Sequence, residues 1–479
     1  MNKYQTVIGL ELHCELKTNS KVFSPSANFY STVPNSNVNE IDMSFPGIMP
    51  SLNKEAVRKA LKMSMVLNCT QPDELLFDRK NYYYPDLPKG FQITQVTKPV
   101  GINGKVELIS NGKPFYALIH DIHLEEDTAS QDHYDTYSLI DYNRAGVPLI
   151  EIVTEPCFND APSAVEFLEY LANSLKYCDI SEADIKKGQI RCDCNVNLKD
   201  ENGNYITPKV EIKNVNSFAN VENAINAEVK RQIECLESGK KDELCQETRR
   251  YDEQTNTTIS MRKKVKSIDY KYFIEPNIPR IKITDDFLEE IRSEIPKLPN
   301  ARIKTYMEEY NLSENDSKIL ARNKDIADYF DESIKLGLDS KTVANWVISL
   351  ILGILSKENI SILEFYLSPR LLSQILNPLK NGEISSKQAK ELFTKALEEK
   401  AEPQSLIEKY GMKQMDNEEE LSSIIKTILD NSPKQIELYH NGKTNMFDFF
   451  VGMTMKETKG KANPLKVKEI LTKELETRK

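Results

Sequence analysis

The sequence predicts an α+β protein: an N-terminal mixed domain on an antiparallel sheet, an all-α helical domain and a small all-α tail domain. Up to about residue 290, short segments of alternating polar and apolar residues are separated by long helical stretches without a regular βαβ rhythm. Beyond Pro296 and Pro299 the pattern becomes helical, and a polar break around Pro403 separates a last helical unit. We therefore expect domains at residues 1–293, 294–404 and 405–479.

Strands are predicted wherever apolar residues recur at every second position. They are Thr6–Leu16, Tyr116–Glu125, Gln189–Leu198 and Val210–Asn214. In the first of them, "IGLELHCELK", Leu10 and Leu12 point to one face, and Glu11, His13 and Glu15 share the other. One face of this strand therefore belongs to a core, whereas the other places two carboxylates beside an imidazole.

Helices are predicted from apolar residues at helical spacing and from the signals at helix ends. One helix begins near Pro162. A second begins after an N-cap at Ser217 and stops at Gly239. In the later, helical part of the chain, "SSKQAKELFTKALEEK" has a capping serine, Ser385 or Ser386, followed by an apolar stripe.

Composition and charge exclude several classes of protein. The 479 residues are 39% hydrophobic and 28% charged, as in soluble globular proteins of more than one domain. The longest apolar run, 346–355, is shorter than the ~18 residues of a membrane span, and no signal peptide is predicted. The eight cysteines lack a CxxC pair, which favours reduced thiols and a cytoplasmic location. The net charge of −10 argues against indiscriminate nucleic-acid coating, although residues 451–479 hold eight Lys/Arg against four Glu.

The unusual polar face of the first strand recurs on the other predicted strands. The residues involved are Asp121, His123 and Glu125, then Arg191, Asp193, Asn195 and Asn197, then Lys209, Glu211 and Lys213. If these strands share a sheet, one face collects carboxylates, histidines and cations. Oxygen-rich sites with one imidazole suit Mg²⁺ or Mn²⁺ better than zinc. A metal or phosphate site and a set of ordinary solvated strand faces both remain open on this pattern alone.

Two motifs that would indicate other chemistry are incomplete. "NGKTN" around Lys443 is similar to the end of a phosphate-binding loop, but Glu437 stands where the first glycine is required. No serine or cysteine lies in a nucleophile-elbow or glutaminase context. The sequence therefore gives no support to a hydrolytic triad.

Long motifs along the whole chain resemble one family. They are "VIGLELHCELKTNSKVFSPS", "FDRKNYYYPDLPKGFQITQ", "HLEED", "LIDYNRAGVPLIEIVTEP", "QETRRYDEQTNTTISMR", "DYKYFIEP", "SSKQAK" and "VGMTMKETKGKANP". These motifs resemble the B subunit of the tRNA-dependent amidotransferase, GatCAB. The resemblance implies a heterotrimer with a glutaminase A subunit and a small C subunit. It also implies that ATP and Mg²⁺ activate the side-chain carboxylate of misacylated Asp-tRNA(Asn) or Glu-tRNA(Gln) as an acyl phosphate, which ammonia from the A subunit then amidates.

The same resemblance assigns roles to individual residues. It implies a metal site of Glu11, His13, Glu126, Asp193 and Glu211, of which the last three, with Arg191, are also assigned to catalysis. It assigns cofactor binding to Lys209, Lys213, Glu125 and Glu151, and tRNA binding to Lys459 and Lys461. Lys80 and Tyr82 to Tyr84 are candidates to line the substrate cavity or the ammonia route, with an ordinary packed aromatic loop as the alternative. Strict alternation would favour Glu125 over Glu126 as a ligand, so this assignment requires a bulge or the strand end.

Several positions depart from the family pattern. Ser24, Ser26, Asn39 and Asp42 occupy the positions of a zinc knuckle, so no zinc is expected. Residues 128–130 replace an "AGK" segment and lose its lysine, and further departures occur at Ile274, Asn277 and Cys245. Two alternatives therefore remain: a non-catalytic tRNA-binding or assembly subunit with a degenerate metal site, and a free-standing ligase that uses free ammonia. The sequence does not decide between Asp-tRNA(Asn) and Glu-tRNA(Gln).

Overall fold

The computed structural model describes residues 3–213, 215–263, 270–412, 418–458 and 462–478. It divides into two compact units, Met1–Arg302 and Ile303–Lys479. A sheet-rich first unit and a helical second unit confirm the α+β fold class. The three-domain division at 293/294 and 404/405 stays a prediction.

The described residues contain short and long strands. They are β1 (Gln5–Glu15), β2 (Glu74–Leu75), β3 (Asp78–Asn81), β4 (Phe91–Thr94), β5 (Gly101–Ser110), β6 (Lys113–Glu126), β7 (Ser130–His133), β8 (Ser138–Asp141), β9 (Pro148–Thr154), β10 (Ile190–Lys199), β11 (Val210–Lys213), β12 (Glu247–Asp252), β13 (Thr257–Lys263), β14 (Phe273–Ile274) and β15 (Ile281–Lys282). The predicted strands are present, with ends shifted by a few residues, and Asn214 lies outside the described residues. The other strands have no counterpart in the prediction, including β5, β9, β12 and β13 of the large sheet.

The long strands form one sheet in the order β13-β12-β11-β10-β1-β9-β6-β5. β1 pairs antiparallel with β10 on one side and with β9 on the other. β11 and β12 run parallel, whereas the remaining neighbours in this sheet, as far as the structure describes it, run antiparallel. Smaller sheets are β14-β3-β4, β15-β2 and β7-β8, and β4 packs against β6.

The helices of the described chain follow the same order. They are α1 (Lys54–Val66), α2 (Ala161–Tyr177), α3 (Phe218–Glu237), α4 (Asp285–Ser293), α5 (Pro299–Glu308), α6 (Glu314–Ala321), α7 (Lys324–Lys335), α8 (Ser340–Trp346), α9 (Leu352–Glu358), α10 (Pro369–Lys380), α11 (Ser386–Glu399), α12 (Pro403–Lys409), α13 (Glu418–Asp430), α14 (Pro433–His440), α15 (Asn445–Glu457) and α16 (Pro464–Glu476). A 3₁₀ turn covers Lys241–Glu243, and a π-helical segment, Val347–Ile351, joins α8 to α9.

Local signals explain where these helices begin and end. The Asp160 side chain accepts from Ser163 N at the start of α2, and the Ser217 hydroxyl accepts from Asn220 N at the start of α3. Gly239 follows α3 with φ of +73°, a conformation that favours glycine. Ser385 caps α11 and forms a capping box with Gln388, which decides between the two candidate serines.

Helices cover one face of the large sheet. α1 packs on β5 and β6, α2 packs on β5, and α3 packs on β10 and β13. Leu10, Leu12 and Cys14 of β1 are buried on this face, as the alternation predicts. Their neighbours along β1 point to the opposite face, which is therefore the polar one.

The second unit is built from helices around two groups of buried side chains. One group runs from Tyr306 to Met412 and contains Trp346 packed edge-on against Phe393. The other runs from Leu421 to Leu475. Each group buries the apolar stripes of its own helices, as expected for amphipathic helices.

Candidate active site

Strand register assembles the polar face of the large sheet. His13 of β1 lies opposite Glu151 of β9 and opposite Arg191 of β10. Glu151 in turn lies opposite His123 of β6. Because directly opposed side chains on one face of a sheet are close neighbours, β6, β9, β1 and β10 bring two histidines, a carboxylate and a guanidinium into one row.

Glu151 lies at the centre of this row. Its Oε2 lies 3.0 Å from His123 Nε2 and 3.4 Å from His13 Nε2. The two oxygens of Glu125 lie 4.0 Å from His13 Nε2 and 3.7 Å from His123 Nε2. Candidate ligand atoms within 4.8 Å of one another form two groups that share Glu151: Glu11–His13–Glu151 and His123–Glu125–Glu151. Two carboxylates with one imidazole in each group fit a hard divalent cation such as Mg²⁺ or Mn²⁺.

The electrostatics of this face indicate a deficit of positive charge. Burial, together with repulsion by Glu151, raises the pKa of both Glu11 and Glu125. Burial alone would raise the pKa of Glu151, but hydrogen bonds to His123 and His13 hold it well below its usual range. Burial alone would lower the pKa of each histidine, and the neighbouring carboxylates raise it instead. A bound cation would supply the charge that protons otherwise provide.

The polar face continues from β1 towards β12. Glu11 lies opposite Asp193, whose carboxylate contacts Lys213 Nζ. Lys213 Nζ also lies 3.5 Å from Glu211 Oε1, and Thr248 donates a 2.8 Å hydrogen bond to Glu211 Oε2. Asp193 and Glu211 therefore share the face of Glu11, as predicted, but a lysine lies between their carboxylates.

Arg191 points away from this lysine towards a different carboxylate. Its Nη2 lies 2.8 Å from Asp127 Oδ2, which Arg144 Nε approaches to 3.4 Å. Arg191 Nε is buried and has no hydrogen-bond partner among the described residues. Burial and the charge of Asp127 raise the pKa of Glu15 to about 7. Two guanidinium groups thus lie at the edge of the polar face, where an anion would meet positive charge.

A cleft of about 590 Å³ opens beside Arg144. Arg144 and Glu15 line it together with Asn28, Phe29 and Tyr30, and both aromatic rings are largely exposed. Glu15 follows His13 on the same face of β1, so this cleft reaches the polar face at the end of that strand. The cleft therefore has the size and position to admit a substrate.

Glu126 is placed differently from the other predicted ligands. It ends β6, and its carboxylate accepts hydrogen bonds from Lys89 Nζ at 2.6 Å and from Ile93 N at 2.8 Å. It does not belong to either of the two ligand groups, whereas Glu125 and Glu151, assigned to cofactor binding, do. The difference follows from strand alternation, which turns Glu125 towards the histidines.

The remaining predicted residues are dispersed. Lys209 is exposed and directly precedes β11. Lys80 Nζ lies 5.0 Å from the centre of the Tyr270 ring, and the Tyr82 ring contacts the same ring edge-on. Burial alone would lower the pKa of Lys80, but the charge of Glu125 raises it. The Tyr83 and Tyr84 side chains are exposed, and Lys459 and Lys461 lie outside the described residues.

Polar contacts connect the positions that correspond to the zinc knuckle. Ser24 donates a 2.7 Å hydrogen bond to Asp42 Oδ1, and Asn39 N donates a 3.1 Å bond to Asp42 Oδ2. Lys21 Nζ, fully buried, lies 3.4 Å from the same carboxylate. These polar contacts connect residues 21–42 through the Asp42 carboxylate.

Three residues of the ligand groups are missing from the metal site that the sequence predicts. His123 belongs to a predicted polar strand face without being assigned to the site, and Glu125 and Glu151 are assigned to cofactor binding instead. These residues are missing because β9 is not predicted. Its sequence "PLIEIVT" is a short and nearly continuous apolar run. Such a run indicates a strand buried on both faces, and its single Glu151 is the available signal.

Comparisons with known proteins point to one family. The GatB/GatE catalytic domain matches residues 6–289, and a GatB domain matches residues 328–475. The chain is 43% identical over 476 residues to the B subunit of the aspartyl/glutamyl-tRNA(Asn/Gln) amidotransferase of Oceanobacillus iheyensis, covering 99% of this chain and 100% of the relative. The proteins of the same name from Geobacillus thermodenitrificans and Persephonella marina are 42% and 40% identical, and the alignments cover 98–99% of this chain and 99–100% of each relative.

These matches extend over both units. In the part of the chain that the structure describes, every helix is too short or too polar to span a membrane. The resemblance found in the sequence motifs is thereby confirmed. The chain belongs to the GatB family of amidotransferase B subunits.

Proposed function

We propose that this chain is the B subunit of a cytoplasmic heterotrimeric amidotransferase that converts misacylated Asp-tRNA(Asn), Glu-tRNA(Gln) or both into the amide form. The B subunit phosphorylates the side-chain carboxylate of the misacylated residue with ATP and Mg²⁺. Ammonia, released from glutamine by the A subunit, then displaces the phosphate. Family membership over the full chain supports this activity.

The observation that carries the proposal is the pair of ligand groups that share Glu151. A carboxylate is a poor electrophile, and phosphorylation gives it a leaving group. Glu11, His13 and Glu151 would hold Mg²⁺, with Asp193 nearby on the same face. When bound, the ion neutralises phosphate oxygens and orients them. Glu126 and Glu211 remain proposed as residues of the catalytic site.

The cations around the ligand groups have a separate task. Arg191 and Arg144 both approach Asp127, Arg144 lines the cleft, and Lys213 lies between Asp193 and Glu211. In these places they can pair with phosphate oxygens when a nucleotide enters and exchange their present carboxylate partners for it. Lys209 would add charge at the rim. This arrangement provides electrostatic stabilisation without a covalent intermediate on the protein.

Two further steps depend on other molecules. The sequence offers no nucleophile for glutamine hydrolysis, so ammonia comes from the A subunit. Lys80 and Tyr82, which both contact the Tyr270 ring, are proposed to line the space in which ammonia meets the activated carboxylate. Lys459 and Lys461 are proposed to contact tRNA phosphates, which would position the tRNA without reading its bases.

The test uses the co-expressed complex of three subunits with ATP and each mischarged tRNA in turn. Ammonium chloride replaces glutamine in a second series, which bypasses the A subunit. We expect amide formation with at least one tRNA, and His13→Gln should abolish it in both series. The matched control is His120→Gln, because His120 lies on β6 but is exposed and hydrogen-bonded to Glu155.

Each outcome of this test is decisive. Normal amide formation by His13→Gln would show that the metal site is misassigned. If the complex binds tRNA but forms no amide with either substrate, the non-catalytic tRNA-binding or assembly subunit would be the correct alternative. Glutamine hydrolysis by the isolated chain would contradict the division of labour within the complex.

A further inference from the structure

One row of side chains crosses the polar face from β1 to β13, and its chemistry changes from strand to strand. Glu11 of β1 lies opposite Asp193 of β10, and the Asp193 carboxylate contacts Lys213 of β11. Lys213 lies opposite Arg250 of β12, which in turn lies opposite Ile259 of β13. This cross-strand row therefore begins with carboxylates, continues with cations and ends with an apolar side chain.

Arg250 is the cation of this row that the protein itself does not neutralise. Its side chain is exposed, and its guanidinium forms no hydrogen bond or ion pair with the described residues. It belongs to the polar face because Thr248, two residues earlier on β12, points to Glu211. Asp252, two residues later, accepts hydrogen bonds from its own turn instead. Two cations directly opposite each other repel, so Lys213 and Arg250 together favour a bound anion.

Ile259 and Met261 form an apolar platform at the far end of the row. They are 37% and 53% exposed on β13, which is an edge strand of the described sheet. Ser260 between them turns to the helix-covered face, where it donates to Glu247. An aromatic base can pack on such apolar side chains while phosphates attached to it reach the neighbouring cations.

We propose that ATP lies along this row with its base at the β13 end. Its terminal phosphates lie at Glu11, where the proposed ion binds, and Lys213 and Arg250 bind the remaining phosphates. The base packs on Ile259 and Met261. Neighbouring strands are about 4.8 Å apart, so β1 and β12 are separated by about 14 Å, comparable to the length of an extended nucleoside triphosphate. This inference rests on the proposed function, which supplies ATP as the substrate.

The opposite direction along the row offers no comparable site. From Glu11 the row passes Val153 of β9 and Asp121 of β6, an apolar and an acidic residue. Phosphates would meet a carboxylate there instead of a cation. The cleft beside Arg144 lies at the end of β1, so it stays open to the tRNA-bound residue. The positions of the cations thus give the nucleotide one orientation on the face.

The test measures the binding of two probes to the purified three-subunit complex by isothermal titration calorimetry with Mg²⁺. One probe is AMPPNP, a non-hydrolysable analogue of ATP, and the other is inorganic tripolyphosphate, which lacks the base. Signal that persists in excess ADP is subtracted, so binding elsewhere in the complex cancels. Arg250→Gln should weaken both probes by about tenfold, because each loses a charge-assisted contact. Met261→Ser should weaken AMPPNP by about threefold to tenfold and leave tripolyphosphate unchanged, because only the base packs there.

Two further variants control for charge and for the loss of apolar surface. Arg250→Lys keeps the positive charge and should restore most of the affinity for both probes. Ile109→Ser changes an apolar side chain of similar exposure, 40%, on β5 at the other edge of the sheet, and should leave both affinities unchanged. All of the replaced side chains are exposed, so the variants should fold.

Unchanged AMPPNP affinity in Arg250→Gln or in Met261→Ser would overturn the proposal. An equal loss of both probes in Met261→Ser would do the same, since it would place no base on the platform. Amide formation measured in parallel separates this proposal from the proposed function. Unaltered nucleotide binding by the variants, together with normal amide formation, would refute the orientation of ATP and leave the activity intact. The expected binding losses without amide formation by the wild type from either tRNA would support the orientation and refute the activity.

Discussion

The two faces of the large sheet are made by the same strands but differ in role: one packs against helices, and the other carries the candidate active site. On β1, Leu10, Leu12 and Cys14 face the helices and are almost fully buried. Glu11 and His13, which alternate with them, lie on the opposite face and belong to one of the ligand groups. Because alternation is a property of the backbone, the fold and the site are specified together, and a shift of one residue in register would destroy both. Substitutions on the two faces should therefore have separable effects.

The largest effect on activity is expected at Glu151. Glu151→Gln removes the carboxylate that contacts both histidines, and we expect amide formation by the complex to fall about 1000-fold or more, equivalent to ~4 kcal/mol in activation free energy. Thermal unfolding should change little, because the amide keeps the size of the side chain. Glu155→Gln is the matched control, since Glu155 lies just beyond β9 and binds exposed His120. Near-normal amide formation by Glu151→Gln would contradict a chemical role for this face.

The largest effect on stability is expected at Leu12, which lies between Glu11 and His13 in the sequence but points to the apolar face of the sheet. Leu12→Ala leaves a cavity under the helices, and we expect a loss of about 2–5 kcal/mol in the free energy of unfolding. Amide formation per folded complex should be unchanged, because Leu12 contacts no group of the polar face. Thermal unfolding with active-site titration measures both quantities. Leu118→Ala, at a partly exposed position of β6, provides the control. A strong decrease in the activity of the folded Leu12→Ala complex would contradict the separation of the two faces.

Two buried threonines offer a sharper comparison of the faces. Thr248 donates to Glu211 at 2.8 Å on the polar face, and Thr258 donates to Glu228 of α3 at 2.7 Å. Substitution of either by valine should cost about 1–3 kcal/mol in stability, because each leaves a buried carboxylate with one donor fewer. Only Thr248→Val should also lower amide formation, by about tenfold, and Thr248→Ser should restore it. Equal activity of the two valine variants would mean that Glu211 needs no orientation.

Much of this division could be predicted from the sequence. Alternation along β1, β6, β10 and β11 places the polar side chains on one face, and helix caps at Ser217 and Ser385 set helix ends. These features are local, since each depends on a few neighbouring residues. The polar strand faces can therefore be recognised without knowledge of their order in the sheet.

The remaining features depend on contacts that are distant in sequence. β9 inserts between β1 and β6, so Glu151 meets His13 and His123 although it is separated from both by many residues. Helix α3 separates β11 from β12 in the sequence, but the parallel pairing of these two strands brings Thr248 next to Glu211. Periodicity gives the face of a strand but not its neighbours. It therefore favours Glu125 over Glu126, the residue that the family resemblance implies, but it does not bring Glu151 next to His123.

The smallest effect is expected at a position outside both faces. Ser24 and Ser26 both occupy zinc-knuckle positions, but only the Ser24 hydroxyl donates to Asp42, whereas the buried Ser26 hydroxyl has no partner among the described residues. Ser24→Ala should cost about 1 kcal/mol, because Lys21 and Asn39 still compensate the Asp42 carboxylate. Ser26→Ala should cost nothing measurable or stabilise slightly, since it removes an unsatisfied hydroxyl. Neither variant should alter amide formation, and elemental analysis of the wild type should find no zinc on this chain. A stoichiometric zinc ion, or equal destabilisation by the two variants, would show that hydrogen bonds to Asp42 do not fix this loop.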